Sequence, residues 1–134
     1  MMQYLMERRD VPPTILRLLD VVEDDVYIYL VLELVDGGDF FAFIHAQHQA
    51  MESGKAGRLQ QQQWEGRMRR VFYQIAAAIK WLHGHGVCHL DLSLENALID
   101  HEDRLKVIDF GLSRFFGDGR FAMSPKVCAM DHVV

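Results

Sequence analysis

The stretch His89-Leu90-Asp91-Leu92-Ser93-Leu94-Glu95-Asn96, followed by Asp109-Phe110-Gly111, decides how this chain of 134 residues is read. One loop carries an acid, Asp91, and an amide, Asn96; a second acid, Asp109, opens the next turn before a glycine. A carboxylate at Asp91 can take a proton from a hydroxyl, although at an ordinary pKa its main contribution is to hold that hydroxyl in place. Asn96 offers a neutral oxygen and Asp109 a charged one. Magnesium prefers such hard donors and keeps some of its waters. Each residue alone would read as a turn or a cap. The set, in this order, favours a chemical site.

Working outward, residues 64–83 form the clearest helix, with Met68, Val71, Phe72, Ile75, Ile79 and Leu82 at helical spacing on one buried face. Gly84 and Gly86 end it. Beyond the loop, residues 97–99 and 105–108 are short apolar strands joined by a charged turn at 101–104. Upstream, residues 1–9 have helical composition, and Pro12-Pro13 stops them. Residues 14–22 and 26–34 read as strands around Glu23-Asp24-Asp25, the second buried on both faces. A lone hairpin is marginal in water, so something must cover it. Asp36-Gly37-Gly38 breaks the pattern, and Asp39 caps a short helix through Ile44. Residues 45–63, with scattered Gln, Gly and Ala, are expected to be a mobile or partly helical insertion. After Gly111 the chain reads as irregular. Mixed helices and strands place it in the α+β class.

These motifs and their order resemble the middle of a eukaryotic protein kinase domain. The resemblance implies a partial two-lobed fold, truncated at both ends. Residues 1–32 would be a remnant of the small-lobe sheet, 33–38 the hinge, and 39–134 an incomplete helical large lobe with the start of an activation segment. It implies transfer of the γ-phosphoryl group of ATP, with Mg2+, to Ser/Thr hydroxyls of a protein substrate. Asp91 would be the catalytic base, and Asn96 and Asp109 the metal ligands. Leu32 would limit the depth of the adenine pocket, and the backbone of Glu33 and Val35 would bond the adenine edge. Leu98 would lie under the base and Ile108 beside it. Asp39 would contact the ribose or a basic substrate residue. His89, Phe110 and Leu18 would stack in an apolar column that aligns the lobes.

The sequence departs from the family pattern in two loop positions. Leu90 stands where many kinases carry the arginine that pairs with a phosphorylated residue. Ser93 stands where Ser/Thr kinases carry a lysine on the transferred phosphate; by analogy with a lost transition-state donor, about 2–4 kcal/mol is at stake. Leu94-Glu95-Asn96 stays closer to the Ser/Thr pattern than to the tyrosine pattern. The sequence contains no glycine-rich phosphate loop, no Val-Ala-Ile-Lys strand and no Ala-Pro-Glu, and Gln3 or a neighbour falls where an ion-pairing glutamate belongs. The expectation is an incomplete form with little activity alone. The alternative is a pseudokinase or kinase-like binding or scaffold module, and a regulatory protein partner fits either.

The formal net charge of −5 argues against nucleic-acid binding, and no apolar run approaches the length of a membrane span. Without a secretory pattern at the N-terminus, the expected location is cytoplasmic or nuclear. Cys88, among apolar residues, is expected to be a buried free thiol. Arg67, Arg69 and Arg70 read as a solvated helix face. His83, His85 and His89 lack the spacing of a helical zinc motif. Ser113 and Ser124 are candidate phosphorylation sites on the activation segment.

Overall fold

Proline, glycine and aspartate punctuate the chain where its elements change. The computed structural model describes residues 1–52 and 57–116. A short helix, α1 (Met2–Met6), buries Leu5 and gives way before Pro12-Pro13. Residues 14–16 do not begin the first strand, as the apolar run suggested. They stitch onto a later one: Val107 N donates to Thr14 O (2.8 Å) and Leu16 N to Val107 O (3.1 Å). The prolines just upstream have no N–H to give a hairpin ladder, so pairing of β1 (Leu18–Glu23) starts beyond them.

β1 pairs antiparallel with β2 (Ile28–Leu32), with an irregularity between Leu18 and Asp20. Asp24 closes their turn: its Oδ1 accepts from Val26 N (2.8 Å) and Tyr27 N (2.7 Å). β2 is not buried on both faces; all five of its residues are exposed, Ile28 to 65% and Leu30 to 53%. An apolar run records a tendency to be covered. A sheet of only two strands supplies no neighbour to do it.

Of the two expectations for 45–63, the helical one holds, and further than expected: most of its described residues are helical. α2 (Phe40–Glu52) and α3 (Arg58–Gly84) take up all of it that is described except Gly57, the N-cap of α3. Gln, Ala, Leu and Arg are good helix formers, and their low complexity hides that preference. α3 buries Val71, Ala78 and Leu82, whereas Phe72 is 52% exposed and edges onto Phe40. The helix follows a 3.6-residue period, so its buried stripe passes through Ala78 and leaves Phe72 at the margin.

Beyond α3 come β3 (Val87–Cys88), β4 (Ala97–Ile99), β5 (Leu105–Val107) and β6 (Arg114–Phe115). β3 pairs with β6, so the stretch after Gly111 is not wholly irregular as expected. Cys88 is buried, but it is disulfide-bonded and not a free thiol. β4 and β5 pair antiparallel with Leu98 opposite Lys106. Side chains alternate across a strand. Ala97, Ile99, Leu105 and Val107 therefore point into the core, and Leu98 and Lys106 share the less buried face.

The β4–β5 turn is clamped to α3. Gln74 Nε2 donates to Asp103 O (2.7 Å), and Gln74 Oε1 accepts from Leu105 N (2.9 Å). Arg67 Nε donates to both Asp103 carboxylate oxygens (2.7 and 2.9 Å), so Arg67 belongs to the clamp and not to a merely solvated face. Gly37 passes so close to β4 that a Cβ there would lie 2.0 Å from Ile99 O. Gly38, at φ 90°, accepts from Ile99 N (3.0 Å) and fixes the start of α2 against the strand. Among the described residues no helix is long and apolar enough to cross a membrane.

Candidate active site

One histidine organises the catalytic-loop segment. His89 is 5% exposed, and its ring packs on Phe110 with centroids 4.8 Å apart. Nε2 lies 2.8 Å from Ile108 O, and Asp91 N lies 3.3 Å from Nδ1. A carbonyl can only accept and an amide can only donate, so Nε2 carries the proton and Nδ1 is bare. Burial pushes the imidazole pKa below its ordinary value. The Ile108 carbonyl and the Asp91 and Asp109 carboxylates oppose that shift without cancelling it. The neutral ring is the one this hydrogen-bond pattern needs.

Asp91 and Asn96 are joined directly. Asn96 Nδ2 donates to Asp91 O and to Asp91 Oδ2, both at 2.9 Å. These bonds fix the amide's flip and leave its Oδ1 as the atom that can face a cation. Oδ1 of Asp91 takes no part in these two bonds. Asn96 O accepts from Ile108 N (3.0 Å), which sets Asn96 beside the residue that precedes Asp109. Asp109 has φ 57°, and its Oδ1 accepts from Gly111 N (3.0 Å). Aspartate tolerates that left-handed backbone, and the bond closes the turn. Oδ2 of Asp109 remains for a ligand. Leu90 is also left-handed, at φ 65°, unusual for such a side chain, and its turn sets Asp91 next to His89.

A cleft of about 920 Å³ lies between the β1–β2 hairpin and the β4–β5 pair. It is lined by six of the residues expected to meet a nucleotide or metal: Leu32, Glu33, Val35, Leu98, Ile108 and Asp109. The roof shows a period of two: Ile28, Leu30 and Leu32 face the cleft. That alternation was available in the sequence but was obscured by an unbroken apolar run. Leu18 and Phe110 also line the cleft; of the column expected with His89, the contact seen is that of His89 with Phe110. Gln3 of α1 reaches the same cleft. Glu33 N is occupied, donating to Arg17 O (3.0 Å).

Asp39 and Asp91 are not cleft-lining residues, and neither is Asn96. Asp39 sits at the margin, bridged to Leu98, and its Oδ1 caps α2 by accepting from Ala42 N (2.7 Å). Ser93 Oγ accepts from Asn96 N (3.3 Å), so its hydroxyl braces the loop. The three histidines have separate partners: His83 meets Phe116, His85 lies on Trp81 and near Asp10, and His89 holds Ile108. Among the described residues no three His, Cys, Asp or Glu side chains converge on a metal position. The pair Asn96 and Asp109 still suits magnesium, which typically takes one or two protein ligands and completes its shell with phosphates and water. Ser113 is 5% exposed and its hydroxyl donates to His89 O (3.3 Å), so it is not presented for modification; Ser124 lies outside the described residues.

Residues 2–131 match the family model described as protein kinase domain. The chain is 41% identical over 103 residues to CBL-interacting protein kinase 9 of Oryza sativa subsp. japonica, covering 77% of this chain and 20% of that protein. It is 36% identical over 101 residues to serine/threonine-protein kinase PLK4 of Nematostella vectensis, covering 75% of this chain and 9% of that protein. A putative CBL-interacting protein kinase 27 of Oryza sativa subsp. japonica is 43% identical over 101 residues, 75% of this chain and 22% of that one. The chain thus spans at most 22% of the length of these relatives. The family match runs through the linked Asp91–Asn96 loop, the Asp109 turn and the cleft beside them, and by it the chain belongs to the protein kinase domain family.

Proposed function

We propose that this chain carries the nucleotide cleft and catalytic loop of an ATP-dependent kinase that phosphorylates Ser/Thr hydroxyls of proteins. The observation that carries the reading is the bonded chain Ile108–His89–Asp91–Asn96, which holds the acid and the amide at the end of the β4–β5 pair where Asp109 turns out. Adenine would bond the Glu33 carbonyl and the Val35 N–H, under Leu32 and over Leu98 and Ile108. Asp91 would orient the acceptor hydroxyl and take its proton late, as a loose phosphoryl-transfer transition state allows. Asn96 Oδ1 and Asp109 Oδ2 would hold magnesium, which when bound neutralises charge on the phosphates. Leu94-Glu95-Asn96 and the Ser/Thr kinase name of one relative support the hydroxyl class.

One observation favours a second reading, a kinase-like binding module without turnover. Glu23, Glu33 and Asp109 line the cleft, and among the described residues no Lys or Arg does. A triphosphate entering there meets carboxylates and no fixed cation, and Ser93 is engaged in its own loop. Calorimetric titration of ATP with and without Mg2+, followed by γ-labelled ATP with a serine-rich protein acceptor, separates the readings. The kinase reading expects Mg2+-dependent binding that Asp109→Asn abolishes, and label transfer that Asp91→Asn removes while binding persists. Binding without transfer in the unaltered protein moves the assignment to the binding module. Equal ATP binding with and without Mg2+ overturns the role given to Asn96 and Asp109.

A further inference from the structure

Glu33 faces two spaces at once. It lines the nucleotide cleft, and it also lines a second cavity of about 430 Å³ behind the hinge, together with Pro13 and Lys106. On that rear side Glu33 Oε1 accepts from Arg17 N (2.7 Å) and pairs with Lys106 Nζ (2.9 Å). Lys106 Nζ also donates to Pro13 O (2.9 Å). One ammonium group therefore ties the hinge, the segment that leads into β1, and β5. The Lys106 and Glu33 side chains are only 16% and 23% exposed, so water screens the pair weakly.

The partner of Lys106 across the β4–β5 ladder is Leu98, the residue on the cleft floor. Directly opposite residues share a face. The distance between the hinge backbone and the floor is thus set through one cross-strand pair and one ion pair. We infer that Lys106 is a positioning residue for the nucleotide cleft: by holding the Glu33 carboxylate at the rear, it turns the Glu33 carbonyl and Val35 N–H to the front, at fixed height above Leu98. Lysine suits this role because its three donors serve a carboxylate and a carbonyl together. Neither carboxylate–lysine spacing in the sequence nor any local motif announces the pair.

The inference rests on the nucleotide reading of the cleft, so its test includes a measurement that needs no nucleotide. Hydrogen exchange on the whole chain would compare the unaltered protein with Lys106→Met, which keeps the apolar stem, and with Lys106→Arg. The expected result is faster exchange at Leu16, Leu18 and Glu33–Val35 in Lys106→Met, unchanged exchange in the middle of α3, and recovery of protection in Lys106→Arg. ATP affinity should fall about tenfold in Lys106→Met and return to within about threefold in Lys106→Arg. Hinge exchange in Lys106→Met equal to that of the unaltered chain overturns the clamp, whatever happens to affinity. If Lys106→Met exchanges faster everywhere, α3 included, Lys106 is a general stabiliser and the positioning role is likewise refuted. Loosening confined to the hinge in a protein that binds no ATP leaves the clamp standing and removes the nucleotide reading instead.

Discussion

Replacing His89 with leucine isolates what its two ring nitrogens contribute. Leucine keeps an apolar side chain against Phe110, so the change removes chiefly the bonds to Ile108 O (2.8 Å) and from Asp91 N (3.3 Å). Each leaves a backbone group of a part-buried residue without its ring partner, beside a position only 5% exposed. An unsatisfied buried partner costs about 1–3 kcal/mol. The Asp91 bond is long and counts at the low end, so the sum is roughly 2–4 kcal/mol. For a domain of this size that lowers the melting temperature by about 10–20 °C. Tryptophan fluorescence during thermal or urea unfolding reads it, since Trp64 and Trp81 sit on α3.

The same substitution should change the pH dependence. Burial lowers the His89 pKa in the folded chain, so in the interval below about 6.5 the unfolded state binds more protons than the native one. Stability from this residue is therefore complete above pH 6.5 and declines as pH falls towards the folded value. His89→Leu should flatten that decline while lowering stability at neutral pH. A melting temperature within about 2 °C of the unaltered protein, with the same slope between pH 5 and 7, would refute the assigned hydrogen bonds and the neutral tautomer.

Three further outcomes follow from the contacts described. Gly37→Ala would drive a methyl against Ile99 O at 2.0 Å, a backbone atom that cannot step aside; a loss of more than about 2 kcal/mol in urea unfolding is expected. Asp39→Ala removes the cap on Ala42 N and should cost about 1 kcal/mol, with ATP affinity unchanged; a large loss of affinity at intact stability would show that the carboxylate serves the ligand. Asp100→Ala should destabilise more than Arg104→Ala, because Asp100 Oδ1 accepts from Glu102 N and Arg104 N, whereas the Arg104 side chain is 66% exposed and its ion pairs contribute under about 1 kcal/mol. Equal effects in thermal melts would contradict that ranking.

The parts of the fold that were legible in the sequence are those where local chemistry and tertiary position agree. Gly84 and Gly86 mark the end of α3, the short strands fall at β4 and β5, and Asp91 and Asn96 are joined by bonds between neighbours in one loop. Other features depend on what lies across space. Nothing in Val26–Leu34 states that β2 has only one neighbour, so an apolar run read as doubly buried is in fact exposed. How much of 45–63 is helical was hidden because its periodicity is weak, while the propensity of Gln, Ala and Leu was enough to continue both helices. Arg67 looked like part of a solvated stripe until Asp103, far along the chain, appeared beside it. The Glu33–Lys106 pair has the same character: two common surface residues acquire meaning only when the β4–β5 ladder sets one of them behind the hinge.

The Ser113 hydroxyl, shut in against His89 O, has a bearing on how samples from cells should be interpreted. A modifying enzyme must reach that oxygen, so the hydroxyl has first to leave His89 O and turn outwards. A phosphate found on Ser113 would therefore mark a chain in which this contact had been broken, and it would keep the contact from closing again.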